Sequence, residues 1–178
     1  MEHASPGTRV LMGRVIRPHG LQGLLRIRSY AESEETFLNA ATVFLRSASG
    51  KTDEFKITSV RAHKAGFLMS LEGLTSIEQA EEYRGAEILM QKRNLGAVEE
   101  GEYFWGELLD LDVYSDAGEY LGKLSRIIPT GSHDIYLVSK GNKEILIPAV
   151  YEVVKEIDLE GCKMIISAME GLLDLDEI

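Results

Sequence analysis

Short runs of alternating apolar residues, separated by glycine-containing turns, follow one another along almost the whole chain. Successive side chains of a β-strand point to opposite faces, so this pattern predicts strands with one buried face. We therefore predict a mainly β fold of two small β-barrel domains, since closing a sheet removes its exposed edges. The predicted strands span 9–17, 24–30, 42–46, 54–61, 66–71 and 86–90 in the first half, and 108–114, 120–128, 134–139, 144–147, 153–158 and 163–167 in the second.

One short helix interrupts the first six strands. Thr75 is a favourable N-cap and Glu78 follows at the spacing of a capping box, while Gly85 suits the position after a helix end. The helix is predicted over 76–84. Periodicity stops after Asn94, which predicts a first domain at 1–95, a linker at 96–102 and a second domain at 103–178. The last residues, 169–178, are predicted to form a short helical turn and an acidic end.

Charge is distributed unevenly along the 178 residues. The net charge is −10, but residues 1–95 carry 13 Lys and Arg against 11 Asp and Glu, whereas residues 96–178 carry 6 against 18. RNA binding draws much of its affinity from basic side chains on phosphates, which favours the first half as an RNA contact. The acidic second half favours a basic protein partner. Acidity that merely confers solubility explains the same numbers equally well.

No enzyme signature is found in the sequence. Asp110, Asp112, Asp116 and Glu119 flank an ordinary hairpin turn, without histidine or cysteine neighbours that would indicate a metal or catalytic site. The single cysteine excludes an internal disulfide, and there is no glycine-rich phosphate loop. We expect a cytoplasmic, non-enzymatic protein without cofactor or metal. A polar N-terminus and the lack of an apolar run of roughly 20 residues predict neither a signal peptide nor a membrane span.

Four ordered groups of residues resemble the RimM family of ribosome maturation factors. They are the segment GRVIRPHGLQG at 13–23 with the arginine-bearing strand after it, AEEYRG at 80–85, EYFW at 102–105 leading into ELL, and a final set from Gly118 through ILIP at 145–148 to EGLLD at 170–174. Because these elements occur in order and cover both halves, the resemblance is specific. The family's second tyrosine is Phe104 here, so a hydrogen bond from that position cannot be carried over.

The resemblance implies an N-terminal barrel similar to those of translation factors and a C-terminal PRC barrel. It also implies a chaperone for assembly of the small ribosomal subunit, which promotes processing of its rRNA. The partner implied is a basic ribosomal protein of the subunit head, the nineteenth of the small subunit, together with the immature subunit itself. We expect a monomer. The alternative is a direct RNA-binding protein that acts through its basic N-terminal barrel.

Three groups of residues are candidates for these roles. Large aromatic side chains are favoured in protein interfaces, although the same residues could instead fill the junction of the two barrels. Arginines that alternate on one strand suit phosphate, although a solvated face explains them too. The candidates for partner binding are Tyr103, Phe104 and Trp105; for RNA or ribosome contact, Arg14, Arg17, His19, Arg26 and Arg28; and for a structural loop, Gly13, Gly20 and Gly23.

Overall fold

The computed structural model describes residues 8–31, 33–96 and 101–167. The chain divides into two compact units, Met1–Gly106 and Glu107–Ile178. Both are built mainly of strands, which confirms the predicted fold class. The predicted tail at 169–178 and positions 97–100 of the predicted linker lie outside the described residues.

The first unit is a closed barrel of six strands, as predicted. Hydrogen bonds join its strands in the order β1-β2-β5-β4-β3-β6. Alternate side chains point into the barrel, and the core includes Val15, Ile27, Val43, Met69 and Ile88, all of which are almost completely buried. The strands are β1 Arg9–His19, β2 Leu24–Ser29, β3 Thr42–Arg46, β4 Thr52–His63, β5 Gly66–Leu71 and β6 Glu87–Gln91.

Among the described residues, two α-helices and not one accompany this barrel, and a 3-10 turn at Lys92–Asn94 follows β6. The helix α1, Glu34–Ala40, was not predicted; it places Phe37 and Ala40 in the core at a spacing of three residues. The second helix, α2, spans Ile77–Glu81 and is shorter than predicted. Its N-cap is Ser76 rather than Thr75, because the Ser76 hydroxyl accepts the backbone N–H of Gln79.

The second unit is a six-stranded sheet with the order β10-β9-β8-β7-β12-β11. The pair β7 and β12 is parallel, and the other pairs are antiparallel. The strand predicted over 108–114 is wrong in its first part, because the short helix α3, Trp105–Leu108, precedes a strand that starts only at Asp112. The strands are β7 Asp112–Ser115, β8 Tyr120–Ile128, β9 Ile135–Lys140, β10 Lys143–Pro148, β11 Val154–Asp158 and β12 Lys163–Ile166.

A hydrogen bond between Tyr83 and Asp53 joins the segment after α2 to β4. The Tyr83 hydroxyl donates to a carboxylate oxygen of Asp53 over 2.9 Å, and its ring meets Phe55 edge-on at 5.3 Å between ring centroids. Burial, followed by this hydrogen bond, raises the pKa of Tyr83 from 10.0 to about 12. The neutral hydroxyl is therefore the form that the fold stabilises.

Replacing Tyr83 by Phe should lower the free energy of unfolding by about 1.5 kcal/mol, the lower end of the contribution of a hydrogen bond to a charged group. Since the folded pKa lies above the ordinary value of 10.0, this contribution is complete below that pH and disappears as the pH rises towards 12. Urea denaturation at neutral and alkaline pH measures both effects. If the free energy of unfolding falls by the same amount in Tyr83→Phe and in the unchanged chain as the pH is raised from 9 to 12, the Tyr83 hydroxyl does not stabilise the fold in this way.

Candidate functional site

The aromatic segment, Tyr103–Trp105, lies just before the division between the two units. All three side chains are half-buried. Phe104 packs against the hydrophobic core of the first barrel, in company with Leu95. Phe104 thus contributes to the packing of the first unit. Its role in partner binding stays a prediction, as do those of its two neighbours.

Gly106 ties the end of this segment to the first barrel by a very close backbone approach. A Cβ atom added at Gly106 would lie 1.7 Å from the carbonyl oxygen of Leu11 in β1. Leu11 points away from the core and stands beside Leu89, which in turn pairs with Phe44, so that a row of apolar side chains crosses the outside of the barrel. The aromatic segment is therefore attached to the first barrel at two points. Phe104 packs on the core, and the next residue after the segment, Gly106, lies against β1.

The four candidate arginines form two cross-strand pairs on the outside of the first barrel. Arg14 stands opposite Arg28, and Arg17 stands opposite Arg26. A β-bulge between Val15 and Arg17 resets the alternation of β1 and turns Arg17 outward. The sequence prediction that Arg26 and Arg28 share a face agrees with this register.

Only one of these arginines has a carboxylate partner among the residues that the structure describes. Arg14 donates to Glu87 over 3.0 Å, and Glu87 also accepts from Nε of Arg46 over 2.7 Å. Arg17, Arg26 and Arg28 have no ion pair within the described ranges. Like charges directly opposite each other destabilise a sheet, so this arrangement leaves an unbalanced positive face that an anionic ligand would relieve.

His19 ends β1 on the same outer face and contacts a second histidine, which lies on a distant strand. Its ring meets that of His63 at 5.0 Å between centroids. Burial, and then the positive charges of neighbours led by His19 and Lys64, lower the pKa of His63. Because His63 is 44 residues further along the chain, only the barrel register could reveal this juxtaposition.

The three candidate glycines have different surroundings. Gly13 lies inside β1 rather than in a loop, and a Cβ there would stand 2.3 Å from the carbonyl oxygen of Arg28. Gly20 and Gly23 belong to the turn between β1 and β2 and have φ values of +68° and +77°. Between them Leu21 is 78% exposed, so the turn projects an apolar side chain into solvent.

The acidic side chains around the hairpin of β7 and β8 make structural contacts. Asp112 accepts from the Tyr120 hydroxyl over 3.1 Å and pairs with Lys123 over 3.0 Å, and the Lys123 contact is the main reason why the pKa of Asp112 is lowered. Asp110, Asp116 and Glu119 are exposed. Within residues 8–31, 33–96 and 101–167, no three His, Cys, Asp or Glu side chains are grouped as metal ligands. No helix in these ranges is long and apolar enough to cross a membrane.

Fold and surfaces together define a mainly β protein of two small units, with a basic outer face on the first and an aromatic segment at the end of that unit. Family models match both parts: the RimM N-terminal domain matches residues 10–95, and the RimM PRC barrel domain matches residues 105–172. The chain belongs to the RimM family of ribosome maturation factors.

Two ribosome maturation factors agree with this assignment over nearly their whole length. Ribosome maturation factor RimM of Trichlorobacter lovleyi is 37% identical over 168 residues, which cover 93% of this chain and 96% of the relative. The protein of the same name from Pelobacter propionicus is 38% identical and covers 92% and 95%. A crystal structure described as a putative 16S ribosomal RNA processing protein RimM from Pseudomonas aeruginosa is 24% identical, with a TM-score of 0.47 over 92% of this chain and 99% of that chain.

Proposed function

We propose that this ribosome maturation factor is a cytoplasmic, monomeric assembly chaperone of the small ribosomal subunit that acts by binding and not by catalysis. Its partner is a basic protein of the subunit head, the nineteenth of the small subunit. It binds this protein on the immature subunit while the rRNA is being processed. The observation that carries the proposal is the aromatic segment, with its three large half-buried side chains. Phe104 packs against the core of the first barrel, and Gly106 lies against the backbone of Leu11.

Charge supports a cationic protein as the partner. Residues 96–178 carry 6 Lys and Arg against 18 Asp and Glu, and opposite charge accelerates encounter between proteins. Charge steers such an encounter, whereas buried aromatic side chains supply most of the affinity. The aromatic segment and the acidity of the second half thus have separate roles.

Replacing Tyr103 by Ala should weaken the complex with the purified nineteenth small-subunit protein about thirtyfold, the effect of losing one interface hot spot of about 2 kcal/mol. Tyr103 is a sharper target than Phe104, since Phe104 packs on the core and its loss would also destabilise the barrel. Isothermal titration calorimetry measures the change.

Tyr151→Ala is the matched control, because Tyr151 is 81% exposed in the second unit and its loss removes the same side chain from elsewhere. The assignment of the aromatic segment is wrong if both variants bind equally well. The choice of protein partner is wrong if the unchanged chain does not bind the nineteenth protein.

RNA contact by the first barrel is the second candidate function. The observation in its favour is the two opposed pairs of arginines on β1 and β2, of which only Arg14 has a carboxylate partner among the described residues. Single-stranded or looped rRNA carries phosphates that could neutralise this face. Partner protein and rRNA could both be bound on the immature subunit.

A further inference from the structure

The basic outer face of the first barrel continues beyond the two strands that carry the candidate arginines. Arg26 stands opposite Leu68 of β5, and Leu68 stands opposite Arg61 of β4. Val60 and Met69 form the neighbouring inward pair, so Leu68 and Arg61 point outward. One continuous row of outward side chains therefore crosses four strands, from Arg17 on β1 through Arg26 and Leu68 to Arg61 on β4.

Leu68 is only 2% exposed although it points away from the core, so the side chains around it must cover it. Long arginine side chains cover apolar surface with their methylene groups while their charged ends stay in water. Arg26 and Arg61, the residues on either side of Leu68, have no carboxylate partner within the described ranges. Their positive charges are therefore not neutralised by a carboxylate of these ranges.

The turn between β4 and β5 adds two further basic groups to this face. His63 lies two residues after Arg61 on the same side of β4, and its ring meets that of His19. Lys64 follows in the turn with a φ of +54° and is exposed. The groups whose charge acts on His63 are His19, Lys64, Arg26 and Arg61, all of them basic.

We propose that the outer face of β1, β2, β5 and β4 binds the phosphate backbone of RNA and that Arg61, His63 and Lys64 are part of this binding surface. The proposal deepens the RNA contact suggested above and rests on it. Opposed and adjacent positive groups without carboxylate neighbours repel one another in the free protein. Phosphates remove that repulsion, and several of them in a row match the positive groups that β1, β2 and β4 place on this face.

The test measures binding of a short fluorescent single-stranded RNA of mixed sequence to the full chain, by anisotropy, over a range of salt concentrations. The double variant Arg61→Gln/Lys64→Gln should bind about tenfold more weakly than the unchanged chain, and its salt dependence should be shallower by about 1.4, for two lost phosphate contacts. The control is Lys56→Gln/Arg84→Gln, which removes the same charge from side chains that pair with Glu72 and Glu81.

Protonation of His63 gives an independent readout. Because the neighbouring positive charges and burial lower the pKa of His63, phosphate that neutralises those charges should raise it. Binding then takes up a proton, so affinity should rise about threefold from pH 8 to pH 6 in the unchanged chain. The variant His63→Gln should have a smaller increase than the unchanged chain while it keeps the salt dependence of the other contacts.

The outcomes separate the two levels of the proposal. If the unchanged chain does not bind RNA, the RNA contact itself is wrong. If it binds RNA but the Arg61/Lys64 double variant matches its control, the face ends at β2 and the extension to β4 and β5 is overturned. Binding of the nineteenth small-subunit protein should be the same for both double variants, because the aromatic segment is unchanged in each.

Discussion

Replacing Gly106 by Ala is expected to shift the fluorescence of Trp105, the only tryptophan of the chain, to longer wavelength and to lower the free energy of unfolding by about 3 kcal/mol. A Cβ at position 106 would lie 1.7 Å from the carbonyl oxygen of Leu11, a distance at which the backbone must move. The easiest movement lifts the connecting segment off β1, because the barrel strand is held by hydrogen bonds on both sides.

The matched control is Gly131→Ala, since no atom lies within 4 Å of a Cβ added there and its φ is not positive. Fluorescence and urea denaturation should not distinguish that control from the unchanged chain. If the aromatic segment binds the partner protein, the affinity of Gly106→Ala should fall together with the spectral shift. An unaltered Trp105 spectrum and an unaltered unfolding midpoint in Gly106→Ala would show that the close approach to Leu11 does not hold the segment.

Strands bounded by clear turn residues could be predicted from the sequence alone. The bounds of β3, β5 and β8 agree with the prediction to the residue, because each combines alternating or continuous apolar residues with a neighbouring breaker. The strand expected at 108–114 failed for a local reason. Leu108 and Leu111 are buried at a spacing of three, as in a helix, and Asp110 has a φ of +67° that breaks an extended chain.

Other features depend on pairing between distant segments and leave no local pattern. The parallel pairing of β12 with β7 is one, since neither strand contains a signal for the other. The bulge in β1 is another: strict alternation from Arg14 would turn Arg17 into the barrel, and the extra residue turns it outward instead. The helix α1 did leave a signal, in Ser33 followed by two glutamates and by Phe37 and Ala40 at helical spacing.

Some of the candidate site residues could likewise be predicted from the sequence, and others could not. The arginines of β1 and β2 could be predicted because adjacent strands joined by a short turn pair with each other, so their outward residues meet. Arg61 and His63 could not, because β4 pairs with neither β1 nor β2 and joins their face through β5. Gly106 and Leu11 are 95 residues apart, and their close approach depends on glycine having no side chain. No pattern of residues in the sequence therefore predicts it.

Replacing Gly23 by Ala should lower the free energy of unfolding by about 3 kcal/mol, whereas Gly20→Ala in the same turn should cost only about 1 kcal/mol. Both residues have positive φ, so alanine at either position would be destabilised by a left-handed backbone conformation. The two sites differ in their surroundings. A Cβ at Gly23 would lie 2.4 Å from the carbonyl oxygen of Leu74, whereas a Cβ at Gly20 would have no atom within 4 Å.

The difference between the two variants therefore isolates backbone packing from conformational preference, and urea denaturation of each measures it. Leu74 lies two residues before Ser76, the N-cap of α2, so the clash at Gly23 should also disturb the start of that helix. Gly20→Ala should leave RNA affinity unchanged, since the turn keeps its path and His19 its place on the outer face. Equal costs at the two positions would mean that the turn can move away from Leu74 freely, and that the hairpin carrying His19, Arg17 and Arg26 is not held in place by this contact.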